Sequence, residues 1–359
     1  MQATNVLRAS KKSIRFALPA LWLGAAVAAT SPPSDVRQEG CSQLRYDAVP
    51  FMPPEGAVLT SAILNNRGQI AGLAIAELSQ VYVWAGGEYT YLQEPPISQE
   101  WAFFSGVTGF NDRMQIVGYR RLSEATGFEG FLVDRQGVTT LTEQPGFYLP
   151  VDINNRGEVI GGVNDPAYPD MQAGVWRRGQ VTRLPPLTGH PSAFPSAIND
   201  RGVVVGISNP LDGTSYAVMW KPPYNSVQRL PMPPSPSQNP YVSELNNKND
   251  VVFNVFAPDG VNTLAYLWTD RKLRALPPLP GYAFSAVWDI NDHGLAAGSS
   301  TDTTGDHAAT IWRGGQACKL ADLIVTPGFT GELTEVQELN NRGEMLATSY
   351  LLRPARKQH

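Results

Sequence analysis

One motif recurs seven times along the chain at a nearly constant interval, and this recurrence constrains the fold more than any other feature. Its core is an apolar residue followed by Asn-x-x-Gly and a short aliphatic run, as in SAILNNRGQIAG, PVDINNRGEVIGG and PSAINDRGVVVG. The motif asparagines are Asn65, Asn111, Asn154, Asn199, Asn246, Asn291 and Asn340. Their spacing of 43 to 49 residues is typical of one unit in a repeat architecture.

Each repeat predicts four short antiparallel strands. Asn can bond its own backbone two residues on and Gly accepts a left-handed conformation, so Asn-x-x-Gly favours a tight hairpin. A second hairpin follows the apolar strand that ends in Trp, as in Trp84-Ala85-Gly86-Gly87 and Trp176-Arg177-Arg178-Gly179. No stretch shows a sustained helical apolar period, so we expect little helix.

A four-stranded unit of this size must stack on copies of itself, and closed radial stacking gives a β-propeller. The sequence therefore predicts an all-β, seven-bladed propeller spanning residues 42–353, with no room for a second domain. The last repeat lacks its outer strand, and the segment from Gln43 resembles that strand. We expect the N-terminal strand to join the C-terminal blade and close the ring.

The recurring pattern Ile-Asn-x-x-Gly-x-Val-Val-Gly, then Ala-x-x-Trp-x-x-Gly, then Leu-x-x-Leu resembles the bacterial extracellular repeat proteins called the HAF family. The resemblance covers about residues 42–353. It implies export and a propeller-like array, but no activity. The second copy departs from the pattern with Met114 in place of Gly, and the fifth has Asn249-Asp250 there.

The N-terminus resembles a secretory signal. Residues 1–28 combine four basic side chains with an apolar run from Phe16 to Ala29, which is shorter than the roughly 20 residues of a membrane span. We expect cleavage, a linker at 29–41 and a tail at 354–359, with an uncleaved anchor as the alternative. The expected location is secreted or periplasmic, without membrane insertion after cleavage.

The charge of the mature chain favours a soluble protein. Residues 1–28 hold no acidic side chain, so their removal leaves 24 basic against 32 acidic residues, a formal charge of −8. Such a balance disfavours nucleic acid and anionic lipid as partners. The two cysteines, Cys41 and Cys318, are interpreted as either one disulfide clasping the ring closure or two separate thiols.

Catalytic motifs are scarce. The chain has four histidines without close metal-ligand spacing, no Gly-x-Ser-x-Gly and no phosphate loop. Ser300–Gly305 departs from a sialidase Asp box in its spacing, position and number of copies. Three motif turns hold an acid after the Asn, at Asp112, Asp200 and Asp292, but turn formation explains the Asn without calcium. We assign no catalytic residue, metal or cofactor.

The long connections are the predicted binding surface, because loops on a rigid scaffold usually carry function. In each blade the two tight turns lie on one face of the disc and the long connections on the other. Candidate contacts on the long-loop side are Trp101, Phe104, Tyr168, Phe194, Tyr241 and Tyr282. Each of these aromatic residues could instead pack beneath the connections.

The preferred interpretation is a secreted, non-enzymatic, monomeric scaffold that binds an extracellular glycan or protein through this face. The alternative is a propeller hydrolase or lyase acting on extracellular polysaccharide, with acids among Asp165, Asp170, Asp302 and Asp306. A cleft with convergent acids would favour the enzyme.

Overall fold

The computed structural model describes residues 41–355 apart from several short segments. The segments left out within that range are 42, 53–56, 60, 76–77, 93–96, 99–105, 122–127, 142–146, 164–171, 212, 214 and 235–238. The described residues form the predicted seven four-stranded antiparallel blades, almost without helix. One 3₁₀ turn occurs at Leu320–Leu323, and no helix in the described part of the chain is long and apolar enough to cross a membrane.

Every complete blade is a meander whose strands pair in chain order from the channel outward. Blade 1 comprises a broken inner strand, β2 (Val58–Leu59) and β3 (Ile63–Leu64), then β4 (Ile70–Ile75), β5 (Leu78–Ala85) and β6 (Glu88–Tyr91), with β7 (Ile97–Ser98) beside β5. Blade 2 comprises β8 (Gly106–Phe110), β9 (Ile116–Arg121), β10 (Phe128–Asp134) and β11 (Gly137–Thr140). Blade 3 comprises β12 (Phe147–Ile153), β13 (Val159–Val163), β14 (Gln172–Arg177) and β15 (Gln180–Leu184).

Blades 4 to 6 follow the same order, and the outer strand of blade 7 comes from the N-terminal part of the chain. Blade 4 comprises β16 (Ser192–Ile198), β17 (Val204–Asn209), β18 (Tyr216–Trp220) and β19 (Val227–Arg229). Blade 5 comprises β20 (Pro240–Leu245), β21 (Val251–Phe256), β22 (Thr263–Thr269) and β23 (Lys272–Leu276). Blade 6 comprises β24 (Phe284–Ile290), β25 (Ala296–Thr301), β26 (His307–Arg313) and β27 (Gln316–Lys319). Blade 7 comprises β28 (Val336–Leu339), β29 (Met345–Ala347), β30 (Tyr350–Pro354) and β1 (Tyr46–Pro50).

The N-terminal strand closes the ring, as the sequence predicts. Strand β1 pairs with β30 in antiparallel register from Tyr46↔Pro354 to Pro50↔Tyr350. Tyr46 is buried in the core that joins blades 6 and 7, so the closure also contributes packing. An outer strand drawn from the other end of the chain covers the edge that blade 7 would otherwise expose.

Apolar clusters fill the spaces between neighbouring blades. For example, Val205, Met219 and Val251 belong to the cluster between blades 4 and 5. The motif tryptophans contribute to these clusters, with Trp220 and Trp312 fully buried. These two tryptophans are therefore core residues.

The motif turns share one backbone conformation in all seven blades. The fourth position of each turn has a positive φ, including Met114 at 63° and Asn249 at 67° where the other repeats have Gly. A side chain in this conformation is costly, which is why Gly predominates there. The two departures from the sequence pattern therefore preserve the turn geometry.

Candidate binding surfaces and the central channel

The seven motif asparagines form a closed ring at one end of the central channel. Each is buried, with 3 to 5% of its surface exposed, and each side-chain Nδ2 donates to the backbone oxygen of the motif Asn in the next blade. The last bond runs from Asn340 to the oxygen of Asn65, at 3.0 Å, and completes the circle. The motif asparagine thus joins blades as well as shaping its own turn.

The side-chain Oδ1 of each motif asparagine stabilises its own turn. Asn199 Oδ1 accepts the backbone N–H groups of Arg201 and Val203, each at 3.0 Å. Its Nδ2 has a second acceptor in Asn249 Oδ1 of the next blade, at 2.9 Å. The Asn199 amide therefore makes four hydrogen bonds, the full capacity of such a group.

A second ring lies one residue further along each turn, and its side chains alternate between Asn and Asp. Its members in order are Asn66, Asp112, Asn155, Asp200, Asn247, Asp292 and Asn341. Every backbone N–H in this ring donates to the side-chain Oδ1 of the next member, at 2.7 to 2.9 Å. This ring also runs through the junction between blades 7 and 1.

The alternation follows from hydrogen-bond complementarity. Asn155 Nδ2 lies 3.1 Å from Oδ2 of both Asp112 and Asp200, so one amide donates to the carboxylates on either side. Two adjacent aspartates would bring like charges together without a donor between them. A ring of seven cannot alternate throughout, and the one like pair is the neutral pair Asn341 and Asn66.

Carboxylates also bridge blades at a bulge in the inner strands. Asp152 Oδ1 accepts its neighbour Ile153 N–H, and Oδ2 accepts Ile198 N–H of the next blade at 3.0 Å. Asp289 does the same with Ile290 and Leu339. The bulges interrupt the strand register beside both aspartates, and a bulge leaves backbone groups unpaired. These carboxylates therefore supply acceptors that the fold requires.

The channel at this end has a cavity of about 180 Å³ lined by both rings and by the bulge positions. Its lining includes the carboxylates of Asp112, Asp152, Asp200, Glu244, Asp289, Asp292 and Glu338, and no Arg or Lys. Backbone N–H groups and amides engage the aspartates described above. The sequence signal for this arrangement was the Asn/Asp alternation, whose meaning depends on which turns are neighbours in the ring.

The aromatic residues predicted as contacts fall into two groups. Trp101, Phe104 and Tyr168 lie outside the described residues. Phe194 is half-buried against the core between blades 3 and 4, and Tyr282 is half-buried in the connection before β24. Tyr241 is 37% exposed and makes an edge contact with Trp288 at 6.0 Å. Their role in binding stays a prediction.

Exposed apolar side chains mark the long-loop side more clearly than the predicted aromatics do. The exposed large hydrophobic residues of the described chain are Met52, Val58, Tyr91, Leu211, Tyr241, Phe256, Val261 and Val325. None lies in a tight turn. Four of them belong to blades 4 and 5, and Leu211 and Val261 are 89% and 76% exposed. Sequence reasoning missed the aliphatic members because it looked for aromatic residues.

Asp302, one of the acids proposed for hydrolysis, has a structural role in its own loop. Asp302 Oδ1 accepts hydrogen bonds from the Thr304 hydroxyl and the backbone N–H groups of Thr304 and Asp306. The hydrogen bond from the Thr304 side chain, followed by those from the backbone, lowers the pKa of the Asp302 carboxyl. Such a carboxylate resists protonation and is poorly suited to act as a general acid. Asp165 and Asp170 lie outside the described residues.

The two cysteines lie at the ring closure. Cys41, which precedes β1, is joined in a disulfide to Cys318 of β27, with 5.9 Å between the Cα atoms. Cys318 and Tyr46 belong to the same buried cluster. The pair therefore links the N-terminal segment to the outer strand of blade 6.

No family model matches the chain, and no curated protein sequence matches it. The resemblance to HAF repeat proteins therefore stays a prediction. Solved structures show the fold alone, at 10 to 12% identity. The β-propeller domain of the Trilobed protease from Pyrococcus furiosus aligns with a TM-score of 0.51 at 10% identity, over 73% of this chain and 83% of that one.

Two further structures share the architecture. A chain from a study of two prolyl endopeptidases aligns with a TM-score of 0.54 at 12% identity, over 74% of this chain but only 42% of its own length. YCF48 bound to D1 peptide aligns with a TM-score of 0.50 at 11% identity, over 91% of this chain and 99% of that one. These likenesses show a β-propeller fold.

Proposed function

We propose that this protein is an exported, non-enzymatic propeller that binds an extended segment of a partner protein through its long-loop face. The observation that carries the proposal is the exposure of four large apolar side chains on blades 4 and 5, which are Leu211, Tyr241, Phe256 and Val261. Monomeric soluble proteins expose few contiguous apolar patches, and larger ones mark interaction sites.

The local geometry supports a single surface spanning the two blades. The Ser215 N–H in the loop that follows Leu211 donates to Asn239 Oδ1, two residues before Tyr241. Phe256 ends β21 and Val261 lies in the loop that follows. The loop that carries Leu211 therefore adjoins the segment that leads into Tyr241.

The chemistry of the surface favours a peptide over a glycan. Two of its four members are aliphatic, and aliphatic side chains offer no ring for stacking on a sugar. The YCF48 propeller, which shares the fold, is bound to D1 peptide. A glycan on the same face is the competing outcome of the experiment.

The test uses the purified protein against a phage-displayed library of random dodecapeptides and a glycan array. A long-loop variant, Leu211→Ser/Tyr241→Ser/Val261→Ser, should weaken binding of the selected peptides at least tenfold because it removes three exposed apolar contacts. The matched variant on the opposite face, Arg113→Ala/Arg201→Ala/Lys248→Ala, should bind them as the wild type does. Absence of enriched peptides, equal binding by the long-loop variant, or selection of glycans alone would refute the proposal.

A further inference from the structure

The tight-turn face presents a circle of basic side chains around the channel mouth. This face comprises the turns between first and second strands, at 65–69, 111–115, 154–158, 199–203, 246–250, 291–295 and 340–344, and those between third and fourth strands, at 85–88, 134–137, 177–180, 221–226, 269–272 and 313–316. The third position of the first set is always basic or His. These residues are Arg67, Arg113, Arg156, Arg201, Lys248, His293 and Arg342, and all are exposed.

The second set of turns adds an outer circle of cations. Its exposed members are Arg135, Arg177, Arg178, Lys221, Arg271, Lys272 and Arg313. The exposed acids of the tight-turn face are only Glu88 and Asp270. Its turns, all of them described, therefore expose thirteen Arg and Lys side chains against two acids, in a mature chain with 24 basic and 32 acidic residues.

The other acids of these turns are half-buried or buried. Glu158 and Glu344 are buried, and pair with Arg156 at 2.6 Å and Arg342 at 3.6 Å. The aspartates of the alternating ring are half-buried and hydrogen-bonded around the channel. The outermost layer of the face is consequently positive, with several charges available to a partner.

Three of these cations have no ion pair within the described chain. Arg113, Arg201 and Lys248 lie on three separate turns, and no carboxylate comes within 4 Å of their charged groups. Unpaired exposed cations contribute little to folding. Binding to an anionic partner explains why these cations recur at one turn position better than a contribution to folding stability does.

The turns of this face form a mostly polar surface. They are short and hydrogen-bonded around the ring, and none of the exposed large hydrophobic residues lies in them. The cations form two concentric circles, not a line or groove. A linear polyanion would meet only those beneath its path, whereas a flat anionic surface would meet many at once.

We propose that the tight-turn face docks the protein on a membrane surface rich in anionic phospholipid. Arg pairs well with phosphate, and basic residues near an anionic bilayer each contribute to adsorption. Because these turns expose no large hydrophobic side chain, the contact would be peripheral. The net negative charge of the chain disfavours anionic lipid as a partner. That total conceals the segregation of basic side chains to one face.

The proposal is tested by co-sedimentation of the purified protein with vesicles of phosphatidylglycerol and phosphatidylcholine, and with phosphatidylcholine vesicles alone. Binding should require the anionic lipid and fall steeply with added salt. The variant Arg113→Ala/Arg201→Ala/Lys248→Ala should lower the partition coefficient roughly ten- to a hundredfold. Because these side chains have no ion-pair partner, the variant should keep the wild-type unfolding midpoint.

A matched control removes the same charge from the outer edge of the blades. Arg229→Ala/Arg274→Ala/Lys319→Ala should change vesicle binding less than threefold, and so should the long-loop variant. Residues 1–40 are identical in all variants, so any lipid affinity of that segment cancels. Equal loss in the edge variant, wild-type binding by the tight-turn variant, or binding to soluble polygalacturonate but not to vesicles would overturn the proposal.

Discussion

The two faces of the disc differ in what their residues are used for. On the tight-turn face, side chains at equivalent positions repeat seven times and bond to their neighbours around the ring. On the long-loop face, the connections differ from blade to blade and expose apolar residues such as Leu211 and Val261. Repetition on one face stabilises the ring, and variation on the other leaves room for specific recognition.

The largest expected effect is on the face that repeats. Asn199→Ala should lower the free energy of unfolding by about 4 kcal/mol, because it removes four buried hydrogen bonds worth about 1 kcal/mol each. The long-loop counterpart is Asp259→Ala, which removes three hydrogen bonds to Val261 and Asn262. These groups are exposed, so water replaces the lost acceptor and the cost should stay below about 0.5 kcal/mol. Equal losses in the free energy of unfolding of the two variants, measured in urea, would contradict the expected difference between the two faces.

The disulfide tests how far the rings alone keep the propeller closed. Cys41→Ser/Cys318→Ser should cost about 3 kcal/mol in thermal or chemical unfolding, with the folded circular dichroism spectrum retained. Intact mass should show the wild-type protein two hydrogen masses lighter than its reduced form, and Cys318→Ser should lack that difference. Two free thiols in the native protein would contradict a disulfide between Cys41 and Cys318.

The alternating ring predicts a graded response to added charge. Asn155→Asp places a carboxylate between Asp112 and Asp200 and should destabilise the fold by about 2 kcal/mol at pH 7. Asn66→Asp adds the same charge next to only one aspartate, Asp112, and should cost about half as much. Equal costs for the two variants would show that the order of the ring does not matter.

The smallest predicted effect concerns the closing strand at high pH. Burial raises the pKa of Tyr46 to about 12, although the charge of Arg313 opposes the shift. Because the pKa of Tyr46 in the folded protein lies above the ordinary value of 10, burial of the protonated Tyr46 contributes stability below pH 10. This contribution is lost as the pH rises towards 12. At pH 11 the free energy of unfolding should be about 1 kcal/mol lower than it is below pH 10. Tyr46→Phe should reduce the pH dependence of unfolding in that range.

The fold was accessible from sequence because each repeat carries its own turn chemistry. Asn199 and Gly202 predict a hairpin from their local conformations, and the spacing of the repeats gives the number of blades. The bonds between blades were not accessible, because Asn199 meets Asn246 only after the ring has formed. The exposed apolar residues depend likewise on which loop positions point to solvent, which no periodicity records.

The segregation of charge can be seen in the sequence of the individual repeats but not in the net charge of the chain. Arg113, Arg201 and Lys248 occupy the same turn position in three repeats, yet the overall excess of acids conceals them. Only the topology shows that these turns share one face.

The alternating ring has a consequence for how such a propeller could gain or lose a blade. In a circle of six or eight turns, Asn and Asp could alternate without a mismatch, whereas seven turns require one pair of like residues. That pair, Asn341 and Asn66, lies where the first and last repeats of the chain meet. Deleting or duplicating a single internal repeat would therefore break the alternation elsewhere, and a pair of adjacent repeats is the smallest unit whose addition or removal preserves it.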